Sequence, residues 1–114
     1  VKRTETILKV VLGFAERNPG ITRLLTGDVL IGETERLRLR IGQFYERLET
    51  QLKQVLREGE LNGELQCHNR VASMANLLIA YTDGKMQQFV RSGFQRSPME
   101  GWPEQWPMLR STLT

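Results

Sequence analysis

The sequence is poor in the residue types on which most catalytic and metal sites depend. Its 114 residues include one histidine and one cysteine, so neither a multi-histidine metal site nor a histidine-dependent catalytic triad is expected. Cys67 cannot form an internal disulfide and is typical of a reducing compartment. His68 beside it does not complete a tetrahedral site. Neither a GxGxxG nor a GxxxxGK[ST] motif occurs. We therefore predict no catalytic, metal-binding or cofactor-binding residues and no enzymatic activity.

Long apolar runs and a strong excess of one charge are also missing. No run approaches the roughly 18 residues that a membrane span requires, and no hydrophobic region of a signal peptide is evident. Sixteen Lys and Arg stand against thirteen Asp and Glu, giving a net charge of +3. The basic residues are interleaved with acids, as in residues 33–40, which favours a solvated helix surface over a phosphate-binding stripe. The length suits one domain. Because residue 1 is Val and a helical pattern begins almost at once, we expect a piece of a longer protein.

What the sequence does contain is the apolar period of α-helices. Ile7, Val10, Val11 and Phe14 follow the i, i+3, i+4, i+7 spacing, and a longer stripe runs from Leu37 to Leu56. The predicted helices are residues 5–17, 21–25, about 28 or 33 to 57, about 68–94, and a short final helix from Trp106 or Pro107 onward. No strand pattern competes. The predicted fold class is all-α, a single helical domain over 1–114, with Trp102 and Trp106 as core anchors at one end of the bundle.

The segment 68–94 is more apolar than a helix packed on one side needs. Its apolar residues spread over about 220° of the helix circumference, whereas roughly 100° suffices for one-sided packing. The surplus indicates either a central position or contact with a second copy, and in a small domain we favour the second copy. Asp83 lies on the remaining polar strip, where exposure is expected. The predicted dimer-interface residues are Val71, Ala75, Leu78, Tyr81, Thr82, Met86 and Phe89.

Gly13 stands in the middle of the first predicted helix, where glycine costs about 1 kcal/mol relative to alanine. Val10, Gly13 and Arg17 share one strip of that helix. A missing side chain at Gly13 leaves a notch between an apolar wall and a guanidinium. Such a notch suits a peptide whose backbone lies close to the helix and whose carboxylate meets Arg17. It equally suits close packing of a neighbouring helix.

Three stretches of the sequence carry a resemblance to a known family. They are LGFAERNPGITRLLTG at 12–27, RLETQLKQVLRE at 47–58 and FVRSGF at 89–94. In order and without large gaps, up to Trp106-Pro107, the chain resembles the SlmA-like nucleoid occlusion factors of the TetR family. The run at 12–27 is much more specific than helical character alone.

The resemblance implies a TetR-type C-terminal helical bundle that dimerises through its last long helices in a four-helix interface. It implies that an N-terminal helix-turn-helix DNA-binding domain is absent from this chain, so that DNA would be bound only through that missing part. Members bind the C-terminal tail of the division protein FtsZ and block septum formation over the chromosome. The tail-binding positions correspond to Val10, Gly13, Arg17 and Asn18. The implied location is the cytoplasm, associated with the nucleoid.

Two other interpretations stay open at this point. The first is a TetR-type transcriptional regulator whose core binds a small apolar effector, with a pocket lined by Phe44, Leu48, Met74, Leu78 and Met86. Methionine-rich interiors are more often plain core than pockets. The second is a purely structural dimerisation module.

Overall fold

The computed structural model describes residues 2–26, 34–67 and 70–113. Within these ranges all regular secondary structure is helical, which confirms the predicted all-α class. The helices are α1 (Lys2–Arg17), α2 (Pro19–Leu25), α3 (Thr34–Leu61), α4 (Val71–Arg91) and α5 (Trp102–Ser111). None of these helices combines the length and the apolar character needed to cross a membrane.

Among the helix ends that differ from the prediction, two have identifiable reasons. Helix α3, predicted to end at residue 57, continues to Leu61, and Gly59 within it is buried. A Cβ atom at Gly59 would lie 2.8 Å from a methyl carbon of Leu65, so glycine lets the chain after α3 fold back onto the helix. At the other end, α5 begins at Trp102 because Pro103 occupies its first turn, where proline is well tolerated. The predicted start of the fourth helix near residue 68 and the segment 27–33 lie outside the described residues.

The core lies where α1 and α3 pack against α4. Its α1 members are Leu8, Leu12 and Ala15. They lie on the row of α1 next to the apolar stripe that begins at Ile7 and predicted this helix. That stripe is only partly covered, and Val10 remains 62% exposed. One row of α1 therefore serves the core and the neighbouring row stays available on the surface.

The tryptophans of α5 close one end of the core, as predicted. Trp102 and Trp106 are buried, and their rings stack 5.4 Å apart at an interplanar angle of 8°. Leu113 beyond them has no exposed surface, and its carbonyl accepts a hydrogen bond of 2.7 Å from the backbone N–H of Gln66. The C-terminal segment is thereby bound to the connection between α3 and α4.

Six of the seven residues predicted for the dimer interface are covered by their own chain. They are Val71, Ala75, Leu78, Thr82, Met86 and Phe89, whereas Tyr81 is half-buried. The apolar surplus of α4 is covered from two sides, since α1 and α3 pack on it and the segment after it folds back, placing the ring of Phe94 5.2 Å from that of Phe89. These six side chains are therefore not available to a second copy in this structure. Their burial is explained by the central position of α4 in the domain, the interpretation of its apolar surface that the sequence analysis favoured less.

Candidate functional site

The corner between α1 and α2 is fixed by side-chain bonds to backbone carbonyls. The Asn18 side-chain nitrogen donates to the carbonyl of Phe14 at 2.8 Å and so caps the end of α1. The buried Thr22 hydroxyl lies 2.8 Å from the carbonyl oxygen of Ala15 and 2.9 Å from that of Asn18. Pro19 follows as the first residue of α2, where its missing N–H costs nothing. The residues between the first two predicted helices thus form a sharp turn that is held by its own hydrogen bonds.

All four residues implied as a peptide site belong to this corner or to the adjoining face of α1. Val10 and Arg17 are exposed, and Gly13 and Asn18 are half-buried. The side-chain N–H of Asn18 donates to the carbonyl at the end of α1, so the orientation of this side chain is fixed without a ligand. The strip from Val10 through Gly13 to Arg17 faces away from the core row of Leu8 and Leu12, as its helical spacing requires.

The notch at Gly13 is bordered by the guanidinium of Arg17. A Cβ atom built on Gly13 would lie 3.4 Å from Nη1 of Arg17, and apart from the adjacent residues and the local helix backbone no other atom of the described residues would lie within 4 Å. A flexible cation therefore lies against bare helix backbone, and none of the other described helices fills the notch. Of the two interpretations left open by the sequence, close packing of another described helix on Gly13 is not what this structure contains.

An apolar cleft adjoins this strip, and we name it the α1–α3 cleft. It encloses about 530 Å³. Its lining is apolar except for one arginine and consists of Val10, Val11, Phe14, Ile21, Leu24, Leu25, Leu37, Arg40, Ile41 and Phe44. A second hollow of about 360 Å³ continues along α1 toward Thr6 and Gln51 and shares three of these residues. Val10 and Phe14 are 62% and 42% exposed, so the cleft presents apolar surface directly beside the Gly13 notch.

The effector pocket predicted within the core has a different location from this cleft. Of its five proposed lining residues, Phe44 lines the α1–α3 cleft, and Leu48 borders only the smaller hollow. Leu78 and Met86 have no exposed surface, and Met74 packs against the core. The sequence could not separate these positions, because both sets lie on apolar helix faces.

A second, more polar groove runs between α4 and α5. It encloses about 440 Å³ and is lined by Ala80, Tyr81, Gly84, Lys85, Gln88, Arg96, Gln105, Met108 and Leu109. Lys85 is buried, and its Nζ donates to the carbonyl of Glu100 at 2.6 Å. Burial, together with the charge of Arg96, lowers the pKa of Lys85, although the carboxylate of Glu100 partly offsets this. On the adjacent face of α4, Leu77 is 44% exposed.

The described residues hold no group of three or more histidine, cysteine, aspartate or glutamate side chains placed to bind a metal ion. Cys67 is buried, and its backbone N–H donates to the Glu60 carboxylate at 2.8 Å. Burial and the nearby charge of Glu60 raise the pKa of the Cys67 thiol. The structure gives this thiol a packing role within the core.

Sequence reasoning missed the hydrogen bonds of two side chains around α2. In the sequence Thr22 looks like an ordinary polar residue. A threonine hydroxyl in a helix can, however, donate to the carbonyl four residues earlier, as Thr22 does to Asn18. Tyr45 was assigned to the apolar stripe of α3, but its hydroxyl lies 3.2 Å from the carboxylate of Asp83. Asp83 is accordingly half-buried and bonded, whereas its polar strip predicted exposure. Periodicity locates a side chain on a face but does not show its partner.

Comparison with known proteins shows the family of this chain. A family model described as the tetracycline repressor-like, SlmA-like C-terminal domain matches residues 1–114. The chain is 56% identical over 113 residues to the nucleoid occlusion factor SlmA of Marinomonas sp. strain MWYL1, covering 99% of this chain and 57% of that protein. It is 56% identical to the protein of the same name from Alteromonas mediterranea, over 91% of this chain and 53% of that protein. For Shewanella loihica the identity is 47% over 99% of this chain.

The chain thus spans little more than half the length of these curated relatives. Its match to the family covers every helix described above, including the α1–α2 corner and α5. The chain belongs to the SlmA-like C-terminal domain family of tetracycline repressor-like proteins.

Proposed function

We propose that this domain is the peptide-binding and dimerising part of a nucleoid occlusion factor, and that its α1–α2 corner binds the C-terminal tail of FtsZ. The observation that carries the proposal is the strip of Val10, Gly13 and Arg17 on α1. It combines bare backbone, a mobile cation and an adjoining apolar cleft. A short extended peptide with apolar side chains and a carboxylate needs these three elements.

Each element would have a separate task in the bound state. The guanidinium of Arg17 would leave the Gly13 notch and pair with a peptide carboxylate. The vacated notch would let the peptide backbone approach α1. Apolar side chains of the peptide would enter the α1–α3 cleft beside Phe14. DNA binding would belong to the part of the relatives' length that this chain does not span.

Titration of the protein with a fluorescently labelled FtsZ tail peptide tests this site. Arg17→Gln removes a charge-assisted hydrogen bond of about 1.5–3 kcal/mol, so the affinity is expected to fall by about 10- to 100-fold. Arg17→Asp adds repulsion and should abolish measurable binding. Arg57→Gln is the matched control, because Arg57 is also exposed but lies next to Glu58, which pairs with Arg3 at the far end of α1. Unchanged binding by both Arg17 variants would remove the proposed site.

The dimer part of the proposal needs different residues from those expected on sequence grounds. We propose that a second copy packs on the exposed face of α4 and on α5, across the groove between them. Leu77 and Met108 are 44% and 67% exposed there, and Ala80 and Gly84 provide small surfaces for close approach. Leu77→Arg is expected to convert dimer to monomer in analytical ultracentrifugation, whereas Leu61→Arg, at an 86% exposed position on α3, should not. A dimer that survives Leu77→Arg would argue against this face.

The α1–α3 cleft favours one alternative, a regulator that binds a small apolar effector. Its volume of about 530 Å³ and its apolar lining fit such a ligand. Because Val10 belongs both to the cleft and to the peptide strip, an effector and the FtsZ tail would compete. A thermal-shift screen for compounds that raise the melting temperature separates the two functions. A compound that raises it and also displaces the labelled peptide would support the effector function.

A further inference from the structure

Helix α2 buries little apolar surface for its position in the fold. Thr22 is its one fully buried residue, whereas Ile21 is 44% exposed and Leu24 and Leu25 are half-buried. Seven residues are far too few to form a stable helix without tertiary support. Something besides hydrophobic burial must therefore hold α2 in place.

Polar side chains from two other helices hold the C-terminal end of α2. The Tyr45 hydroxyl, on α3, lies 3.3 Å from the carbonyl oxygen of Leu25 and 3.2 Å from Oδ1 of Asp83. Gln87, one turn beyond Asp83 on α4, donates its side-chain N–H to the carbonyl of Thr26 at 3.0 Å. We name Tyr45, Asp83 and Gln87 the α2 clasp.

The three residues of the clasp are half-buried, between exposed surface and the core. Tyr45 is half-buried, and burial, the charge of Asp83 and their hydrogen bond together raise the pKa of its hydroxyl well above the ordinary value. The phenol has one hydrogen, and the carboxylate of Asp83 and the carbonyl of Leu25 share it as acceptors. Asp83 thereby orients the hydroxyl at the end of α2.

We propose that Tyr45, Asp83 and Gln87 are positioning residues that fix α2 and, through it, the peptide site. Ile21, Leu24 and Leu25 of α2 form one wall of the α1–α3 cleft. The N-terminal end of α2 is the Asn18 corner. A shift of α2 would change the width of the cleft and the direction of Asn18 while leaving the α1–α4 core intact. The link to peptide binding rests on the proposed function, whereas the placement of α2 does not.

Hydrogen exchange tests the clasp without any ligand. The backbone N–H groups of Thr22 and Thr26 donate within the corner at 3.0 Å each and report on α2 directly. Tyr45→Phe removes only the hydroxyl, and exchange at these amides should become about fivefold faster, while the amides of Leu8 and Leu12 in α1 change little.

Tyr81→Phe is the matched control for this experiment. Tyr81 is also half-buried, and its hydroxyl donates to Oε1 of Gln105 at 2.8 Å, on the α4–α5 side of the domain. This variant should leave α2 exchange unchanged. Asp83→Asn, which keeps an oxygen acceptor, should retain most of the protection that Asp83→Ala loses. If Tyr45→Phe accelerates α2 exchange no more than Tyr81→Phe does, the clasp is overturned.

Peptide titration then tests the connection to the site. Tyr45→Phe is expected to weaken binding of the labelled FtsZ tail peptide by about three- to tenfold, and Tyr81→Phe to leave it unchanged. Faster α2 exchange with unaltered affinity would overturn the connection. If the unmodified protein binds no tail peptide, the proposed function fails, while the exchange result still decides the placement of α2.

Discussion

Replacing Gly13 by alanine should move stability and binding in opposite directions. Gly13 lies in the interior of α1, and a methyl group there meets only the flexible end of Arg17, at 3.4 Å. The guanidinium can yield at little cost. Alanine in a helix interior is favoured over glycine by about 0.5–1 kcal/mol. We therefore expect Gly13→Ala to raise the free energy of unfolding by that amount, or the melting temperature by about 2–5 °C.

The same methyl group fills the notch that a peptide backbone would need. Inserting a methyl group into a closely packed contact typically costs about 1–3 kcal/mol, which corresponds to a loss of about 5- to 150-fold in affinity. Urea denaturation and titration with labelled tail peptide, on the same samples at the same protein concentration, measure both effects.

Gly42→Ala is the matched control for this experiment. Gly42 lies within α3, is exposed, and on gaining a Cβ would meet no atom of the described part of the chain within 4 Å beyond its neighbours and the local helix backbone. It should be stabilised by a similar amount and bind the peptide normally. The reasoning is refuted if Gly13→Ala is less stable than the unmodified protein, or if it binds the tail as tightly as Gly42→Ala does.

Three further predictions concern the core. Leu52→Ala should lower the free energy of unfolding by about 2–5 kcal/mol in urea denaturation, because Leu52 is fully buried, whereas Leu61→Ala should change it by less than about 0.5 kcal/mol. Thr4→Val should be stabilising by about 1 kcal/mol in the same assay, since the buried Thr4 hydroxyl has no hydrogen-bond partner among the described residues. Cys67 should react with a thiol reagent at pH 8 more slowly than free cysteine, because the thiol is buried and its pKa is raised by that burial. Fast reaction would contradict its burial.

The helices and the family could be recognised from the sequence because both depend on local patterns. The stripe in α1 and the Asn18-Pro19 break located the first two helices, and Trp102 and Trp106 were correctly assigned to the core. The run at 12–27 identified the family. Such features need no knowledge of which helix packs on which.

The features that the sequence did not indicate depend on tertiary packing. Phe89 and Met86 read as surplus apolar surface, but both are buried within the domain, and the ring of Phe94, after α4, lies 5.2 Å from that of Phe89. The continuation of α3 through Gly59 depends on Leu65, six residues later, folding over it. The bond between Tyr45 and Asp83 joins residues 38 positions apart. Helical periodicity contains no information about contacts at such distances.

The bond between Gln66 and Leu113 has a consequence for how the protein is made. The core needs Leu113 and the stacked tryptophans to be complete, and these are among the last of the described residues to be synthesised. A nascent chain that has released only α1 to α4 from the ribosome would expose the apolar surface that α5 later covers. The domain is therefore expected to become protease-resistant only after α5 emerges, and a released chain truncated after Arg96 should be cleaved faster than the unmodified domain.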